Sequence, residues 1–146
     1  MNQECGYEIS TDTSRFDLDL IHGFISSSYW ARDIPRSMVE RSIRHSFGFG
    51  AFHQKLQVGF ARVITDHATF AYIADVFVIP EHRGRGVSKL LLRTILEHQE
   101  LQGLRRWLLV TRDAQGLYSQ FGFAPLAQPE QYMTIHHSDM YRQVSG

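Results

Sequence analysis

A chain of 146 residues is long enough for one domain with a core of its own, burying roughly 68–70% of the surface its unfolded form exposes. Lys and Arg number 15, as do Asp and Glu, so the balance of charge points to neither nucleic acid nor an anionic membrane, and any anion site has to be local. The start, "MNQECGYEIS", is neither basic nor apolar, and no run approaches about 18 uninterrupted apolar residues, so a cytoplasmic protein without a membrane span is expected. Cys5 is the single cysteine; it is expected in a frayed tail, without a function. The adjacent pair His136 and His137 would face opposite sides of a strand and lacks a third ligand nearby, so no metal site is expected.

In chain order, "YEIST" from Tyr7 reads as a short strand. Asp17 is placed to cap "LDLIHGFISSSYW", where Leu18, Ile21, Phe24 and Ile25 recur at helical spacing. Pro35 stands near the start of a second helix, "IPRSMVERSIRHS", which puts Met38, Val39 and Ile43 on one side. The pattern then changes to three strand-like runs, "FGFGAFHQ", "LQVGFARVI" and "FAYIADVFVI", forming an antiparallel meander. The third is apolar on both faces and so belongs inside a sheet covered on both sides. Pro80 ends it. Val87, Leu91 and Ile95 share a helix face with Leu92 and Leu96 beside them, and Gly103 supplies the stop. "RRWLLVTR" is a further strand. Asp113 is expected to cap a short helix in "AQGLYSQF", closed by Gly122, with "FAPLA" and "YMTIHH" giving a last strand or two. The order β α α β β β α β α β predicts a single α/β (α+β) domain spanning residues 1–146, with a mixed, mostly antiparallel sheet and helices on both faces.

The stretch "IPEHRGRGVSKLLLRTIL" joins the apolar strand to its helix through two glycines. Glycines permit tight turns, and the first amides of a helix have no internal partners, so backbone N–H groups and the positive end of the helix dipole favour phosphate here. Arg83, Arg85 and Lys89 add positive charge. The plainer reading is a strand-to-helix turn with exposed basic residues. The P-loop pattern G-x-x-x-x-G-K-[ST] fails because Ser88, not glycine, precedes Lys89. The dinucleotide pattern G-x-G-x-x-G fails because Lys89 stands at its third glycine.

On these residues the segment "VFVIPEHRGRGVSKLLLRTIL" resembles the acyl-coenzyme A binding segment of the GNAT superfamily of N-acetyltransferases, whose loop reads [Q or R]-x-x-G-x-[G or A]. Arg83, Gly86 and Ser88 fill those positions, Ser88 departing from the last. "DAQGLYSQFGF" is similar to the family's A-x-x-x-Y-x-x-x-G-F through Ala114, Tyr118, Gly122 and Phe123. Thr111 stands where the family often has Asn. "ARVITDHATFAYIADVFV" also looks like a group of small bacterial members, a likeness that names no substrate. The resemblance implies the GNAT fold and acetyl-coenzyme A as co-substrate. It places the pyrophosphate on amides of Arg83, Gly84, Arg85, Gly86, Val87 and Ser88, the pantetheine arm along Val76, Phe77 and Val78, and further contacts at Thr111 and Ala114. It also implies an oxyanion-binding amide at Phe77 or Val78 and Tyr118 as general acid to the leaving thiolate.

Acyl transfer from a thioester to an amine needs a neutral amine, a stabilised oxyanion and a proton for the thiolate. Tyr118 either supplies that proton or is an aromatic packed in the core. Asp75 is the one carboxylate in an apolar strand and needs a partner. It either receives the amine, as base or ammonium ligand, or is structural, bonded to backbone or to Arg62. Tyr29, Trp30 and Arg32, with Asp33, are the acceptor candidates, unless the aromatics only anchor their loop. The expected function is direct acetyl transfer to a small-molecule or peptide amine, without a covalent intermediate or metal. A non-catalytic acyl-coenzyme A binding or sensing module is the alternative, and the donor's acyl length is open. A homodimer is expected from the apolar positions of "MTIHHSDMYRQV", which otherwise read as a last strand.

Overall fold

The polypeptide, in a computed structural model that describes residues 2–142, is built on a six-stranded sheet in the simple order β1-β2-β3-β4-β5-β6. β1 (Asn2–Glu4) and β2 (Tyr7–Ser10) form a hairpin turned by Cys5 and Gly6, whose φ values of 50° and 83° suit a tight two-residue turn. Cys5 thus belongs to a turn rather than a frayed tail. β1 escapes sequence reading because "NQE" has no apolar alternation. β3 (Phe47–His53), β4 (Leu56–Thr65) and β5 (Phe70–Val78) continue the antiparallel meander, and β6 (Arg106–Leu109) joins β5 in parallel.

Helices cover both faces. α1 (Leu18–Ser26) starts at Asp17, whose side chain accepts the Leu20 amide as expected of a cap. It ends earlier than its apolar pattern, because Ser27 bonds back to the carbonyls of Gly23 and Phe24 while the Ser28 hydroxyl accepts from Ala31 N–H. α2 (Arg36–Arg44) follows with Pro35 at its cap. Ile21, Ile25 and Val39 of these helices close over Phe60 and Phe77, and Phe24 stacks on Phe77 at 4.2 Å. On the other face α3 (Val87–Glu97) presses Leu91, Leu92 and Ile95 against Phe49, Ala51, Val63, Ala71 and Ile73, all with little or no exposure. The period of two puts Phe60 and Phe77 on the α1 face and their neighbours Ala61 and Val78 on the α3 face. Each fully buried Leu or Ile contributes roughly 1.5–3 kcal/mol.

Two departures shape the site end of the sheet. β6 pairs with β5 only from Phe70↔Arg106 to Ile73↔Leu109, so it is shorter than "RRWLLVTR" suggests and leaves the second half of β5 without a strand on that side. β5 also carries a bulge: Phe77 lies opposite Phe60 and Ala74 opposite Arg62, so two residues of β5 face one of β4. Asp75, in the bulge, has φ 56°, a left-handed conformation that Asp and Asn tolerate better than most residues. The strand is bent where it parts from β6.

After β6 comes α4 (Gln115–Ser119). Its cap position is Ala114, not Asp113, and carries no side-chain cap bond; the Ala114 amide is taken instead by the Thr111 hydroxyl at 3.1 Å. No strand follows among the described residues, against the expectation for "FAPLA" and "YMTIHH". Pro125 has no N–H to give a ladder, and Pro129 opens a 3-10 turn (Pro129–Gln131) whose carbonyl holds the Tyr132 amide. His136 and His137 therefore are not on a strand.

Candidate active site

Past β5 the chain makes a 3-10 turn (Pro80–His82), and the Arg83 amide closes it on the Pro80 carbonyl. The Arg83 side chain folds back, its Nε donating to the Val78 carbonyl at 2.9 Å. It is therefore tethered rather than mobile, and only its remaining N–H groups are free for an anion. Gly84 and Gly86 have φ of 75° and 82°, values that cost a residue with a Cβ roughly 1–2 kcal/mol. Gly86 accepts the Leu90 amide at 3.0 Å as α3 begins, leaving the first-turn amides of Val87, Ser88 and Lys89 without helical partners. These residues border a pocket of about 260 Å³ lined by Val78, His82, Arg83, Gly84, Gly86, Val87, Ser88, Lys89 and Leu117. Arg85 is exposed outside that lining. A larger hollow of about 540 Å³ lies by the β1–β2 and β3–β4 turns and involves none of the expected site residues.

Leu117 was not singled out by sequence, yet it brings α4 to the cradle, with Tyr118 the next residue along the helix. Tyr118 is 9% exposed and meets Phe123 edge to face at 6.0 Å. Its hydroxyl makes no hydrogen bond among the described residues. Burial first, and the nearby Tyr29 phenol second, hold its pKa above the ordinary tyrosine value, so the proton stays on oxygen at neutral pH. Ala114 packs against the α3-side core.

The bulge gives Asp75 its surroundings. Trp30 Nε1 donates to one carboxylate oxygen at 2.8 Å, and Arg62 Nε donates to the other at 2.8 Å. Arg62 also reaches the Ser46 hydroxyl at 3.1 Å. The side chains of Arg62 and Asp75 are 17% and 9% exposed. The carboxylate therefore sits in a largely buried ion pair that also ties the α1–α2 connection to β5. Burial of Tyr72 first, and the nearby Asp75 charge second, raise the Tyr72 pKa, with Arg62 opposing. From the same connection Tyr29 extends to Arg112, whose guanidinium lies 3.8 Å over the Tyr29 ring. Arg32 is exposed. Arg112 is a candidate that sequence reading missed; it directly follows Thr111, but no spacing rule reveals which residue of one loop folds onto another.

Along β5, Ile79 N–H bonds the Val58 carbonyl at 2.8 Å and Phe77 lies opposite Phe60. Antiparallel pairing alternates, so Phe77 shares that direction and the Val78 amide turns away from β4, toward the side β6 has vacated. The Val78 carbonyl on that side is the one Arg83 holds. Among the described residues no group of three or more His, Cys, Asp or Glu could hold a metal, and no helix is long and apolar enough to cross a membrane.

A mixed sheet parts beside a glycine-turned helix start, and α4, which carries Tyr118, borders that pocket through Leu117. The sequence model of the acetyltransferase (GNAT) domain matches residues 44–125. A protein of Gibberella zeae assigned as an acetyltransferase is 32% identical over 137 aligned positions, covering 78% of this chain and 76% of that protein. A crystal structure of an assigned GNAT-family acetyltransferase from Xanthomonas campestris pv. campestris superposes with a TM-score of 0.91 at 50% identity, covering 94% of this chain and 97% of that one. N-acetylglutamate synthase from Neisseria gonorrhoeae, solved with coenzyme A and N-acetyl-glutamate, shares the fold at a TM-score of 0.71 and 20% identity, over 88% of this chain and 30% of that one. The chain belongs to the GNAT family of acetyltransferases, enzymes that use acetyl-coenzyme A.

Proposed function

We propose that this protein moves the acetyl group of acetyl-coenzyme A to a primary amine by direct attack, with Tyr118 as general acid. The observation that carries the reading is the meeting of the anion pocket with α4: Leu117 lines the pocket and Tyr118 is the next residue. The chain's groups fit the donor. The amides and side chains of residues 83–88 suit a pyrophosphate, and the gap beside Val76, Phe77 and Val78 suits an extended pantetheine arm. Thr111, whose hydroxyl already holds the Ala114 amide, shapes the neighbouring turn. When bound, acetyl-coenzyme A supplies an activated thioester carbonyl.

Of the two amides expected for the oxyanion, Val78 is the better choice because Phe77 is directed at β4. The amine arrives neutral; its nitrogen bonds the carbonyl carbon, the carbon–sulfur bond breaks, and the thiolate takes the Tyr118 proton. The amine loses its own proton to solvent, because both oxygens of Asp75 are engaged. Tyr118 is then reprotonated from water.

Thiol release should be followed with polyamines, amino acids, aminoglycosides, arylamines and peptides, alongside calorimetric binding of acetyl-coenzyme A. Amine-dependent release is the expected result. Tight binding without acceleration by any amine would point to a sensing module instead.

We also read the chain as a homodimer. Met133, Ile135 and Met140 are 96%, 88% and 61% exposed along the C-terminal segment, apolar side chains that a second copy would cover. Val144 of "MTIHHSDMYRQV" lies outside the described residues. Light scattering should give twice the chain mass, falling to one chain in Met133→Glu with Ile135→Lys; a monomeric wild type refutes this.

A further inference from the structure

The mouth between the α1–α2 and β6–α4 connections has a chemistry of its own. Tyr29 and Trp30 are 50% and 40% exposed and meet edge to face at 5.1 Å, two ring faces nearly at right angles that make an angled apolar floor beside the bulge of β5. Arg112 stacks on that floor 3.8 Å above the Tyr29 ring, and the Tyr29 hydroxyl accepts the Arg112 backbone N–H at 3.4 Å. Stacking fixes the guanidinium plane and leaves its edge N–H groups for a planar, two-oxygen partner. Among the described residues neither Arg112 nor Arg32 makes an ion pair; Asp33 and Asp113 adjoin them in sequence without pairing to either. The carboxylate that touches the floor, Asp75, has Trp30 on one oxygen and Arg62 on the other. The mouth therefore offers a fixed cation and an aromatic surface, while its buried carboxylate is already neutralised.

We propose that the acceptor is a primary amine carrying a carboxylate beside an apolar or aromatic body, with Arg112 receiving the carboxylate and the Tyr29–Trp30 floor the body. This rests on the N-acetyltransferase reading above. It favours this class over polycations: a polyamine or a lysine-rich tail finds Arg112 over the floor and Asp75 already paired, with only the exposed Asp33 and Asp113 of the loops to meet it.

Initial rates of thiol release at saturating acetyl-coenzyme A should be compared for phenylalanine, phenylalaninamide, phenethylamine, spermidine and a lysine-rich peptide. Phenylalanine should exceed both neutral analogues in kcat/KM by about tenfold or more, the scale of one hydrogen-bonded charge. The amide has the less basic amine and so more of the reactive neutral form, which biases the comparison against this result. Arg112→Gln should raise KM for phenylalanine about tenfold while calorimetric affinity for acetyl-coenzyme A holds, and Arg112→Lys should restore only part, since an ammonium lacks the planar fork. Neutral analogues or polycations that match or beat phenylalanine overturn this inference alone. Weakened acetyl-coenzyme A binding in Arg112→Gln overturns it too, by moving Arg112 to the donor. No release with any amine, despite donor binding, overturns the N-acetyltransferase reading and this inference with it.

Discussion

Replacing Tyr118 with Phe should lower kcat by roughly tenfold to a hundredfold while KM for acetyl-coenzyme A stays within about twofold. General acids commonly supply a hundredfold or more, but a thiolate of pKa about 8.5 leaves partly unaided, which trims the effect. Phe keeps the edge-to-face contact with Phe123, and the hydroxyl has no hydrogen bond to lose among the described residues. The melting temperature should therefore move little, so a fall in kcat cannot be blamed on unfolding. The pH profile adds a sign. Burial and Tyr29 raise the Tyr118 pKa, so the proton-donating form persists through neutral and mildly alkaline pH, and any fall in kcat from Tyr118 ionisation lies above the ordinary tyrosine range. That alkaline fall should be missing in the Phe variant. An unchanged kcat would remove Tyr118 from the proton-transfer step and leave it as a packed aromatic.

The sequence carried the sheet's meander and its three main helices because period-two and helical spacings coincide with burial: Phe60 and Phe77 face one side, Leu91 and Ile95 cover the other. Local chemistry was also legible where one residue determines one bond, as at Asp17 or at the left-handed glycines 84 and 86. What could not be read depends on which of several partners wins. Asp113 was expected to cap α4, but the Thr111 hydroxyl took the Ala114 amide. "YMTIHH" alternates like a strand, but alternation cannot say whether an edge lies within reach, and the turn at Pro129 sends it elsewhere. The bulge was hidden too. Nothing in "FAYIADVFVI" marks Asp75 as left-handed, although a lone charge there signalled an unmet demand for partners.

Asp75 is where those partners can be tested. Both carboxylate oxygens accept hydrogen bonds, from Trp30 and Arg62, so we expect a positioning residue that holds the α1–α2 connection against β5 and the bulge in register, rather than the amine's base. Arg62→Ala strands a carboxylate that is 9% exposed, and should cost about 3 kcal/mol, the low end for breaking a buried pair because Arg62 itself keeps some solvent. Asp75→Asn should cost less, roughly 1–2 kcal/mol. Asn still accepts from Trp30 and tolerates the left-handed backbone, though it leaves Arg62 without its counterion. The double variant should be less destabilised than the sum of the singles, since neither charge is then stranded. Catalysis separates the two roles. A positioning residue lost to Asn should shift the acceptor's KM by several-fold and keep most of kcat. A drop in kcat beyond a hundredfold, with the acceptor's KM unchanged, would make Asp75 the base.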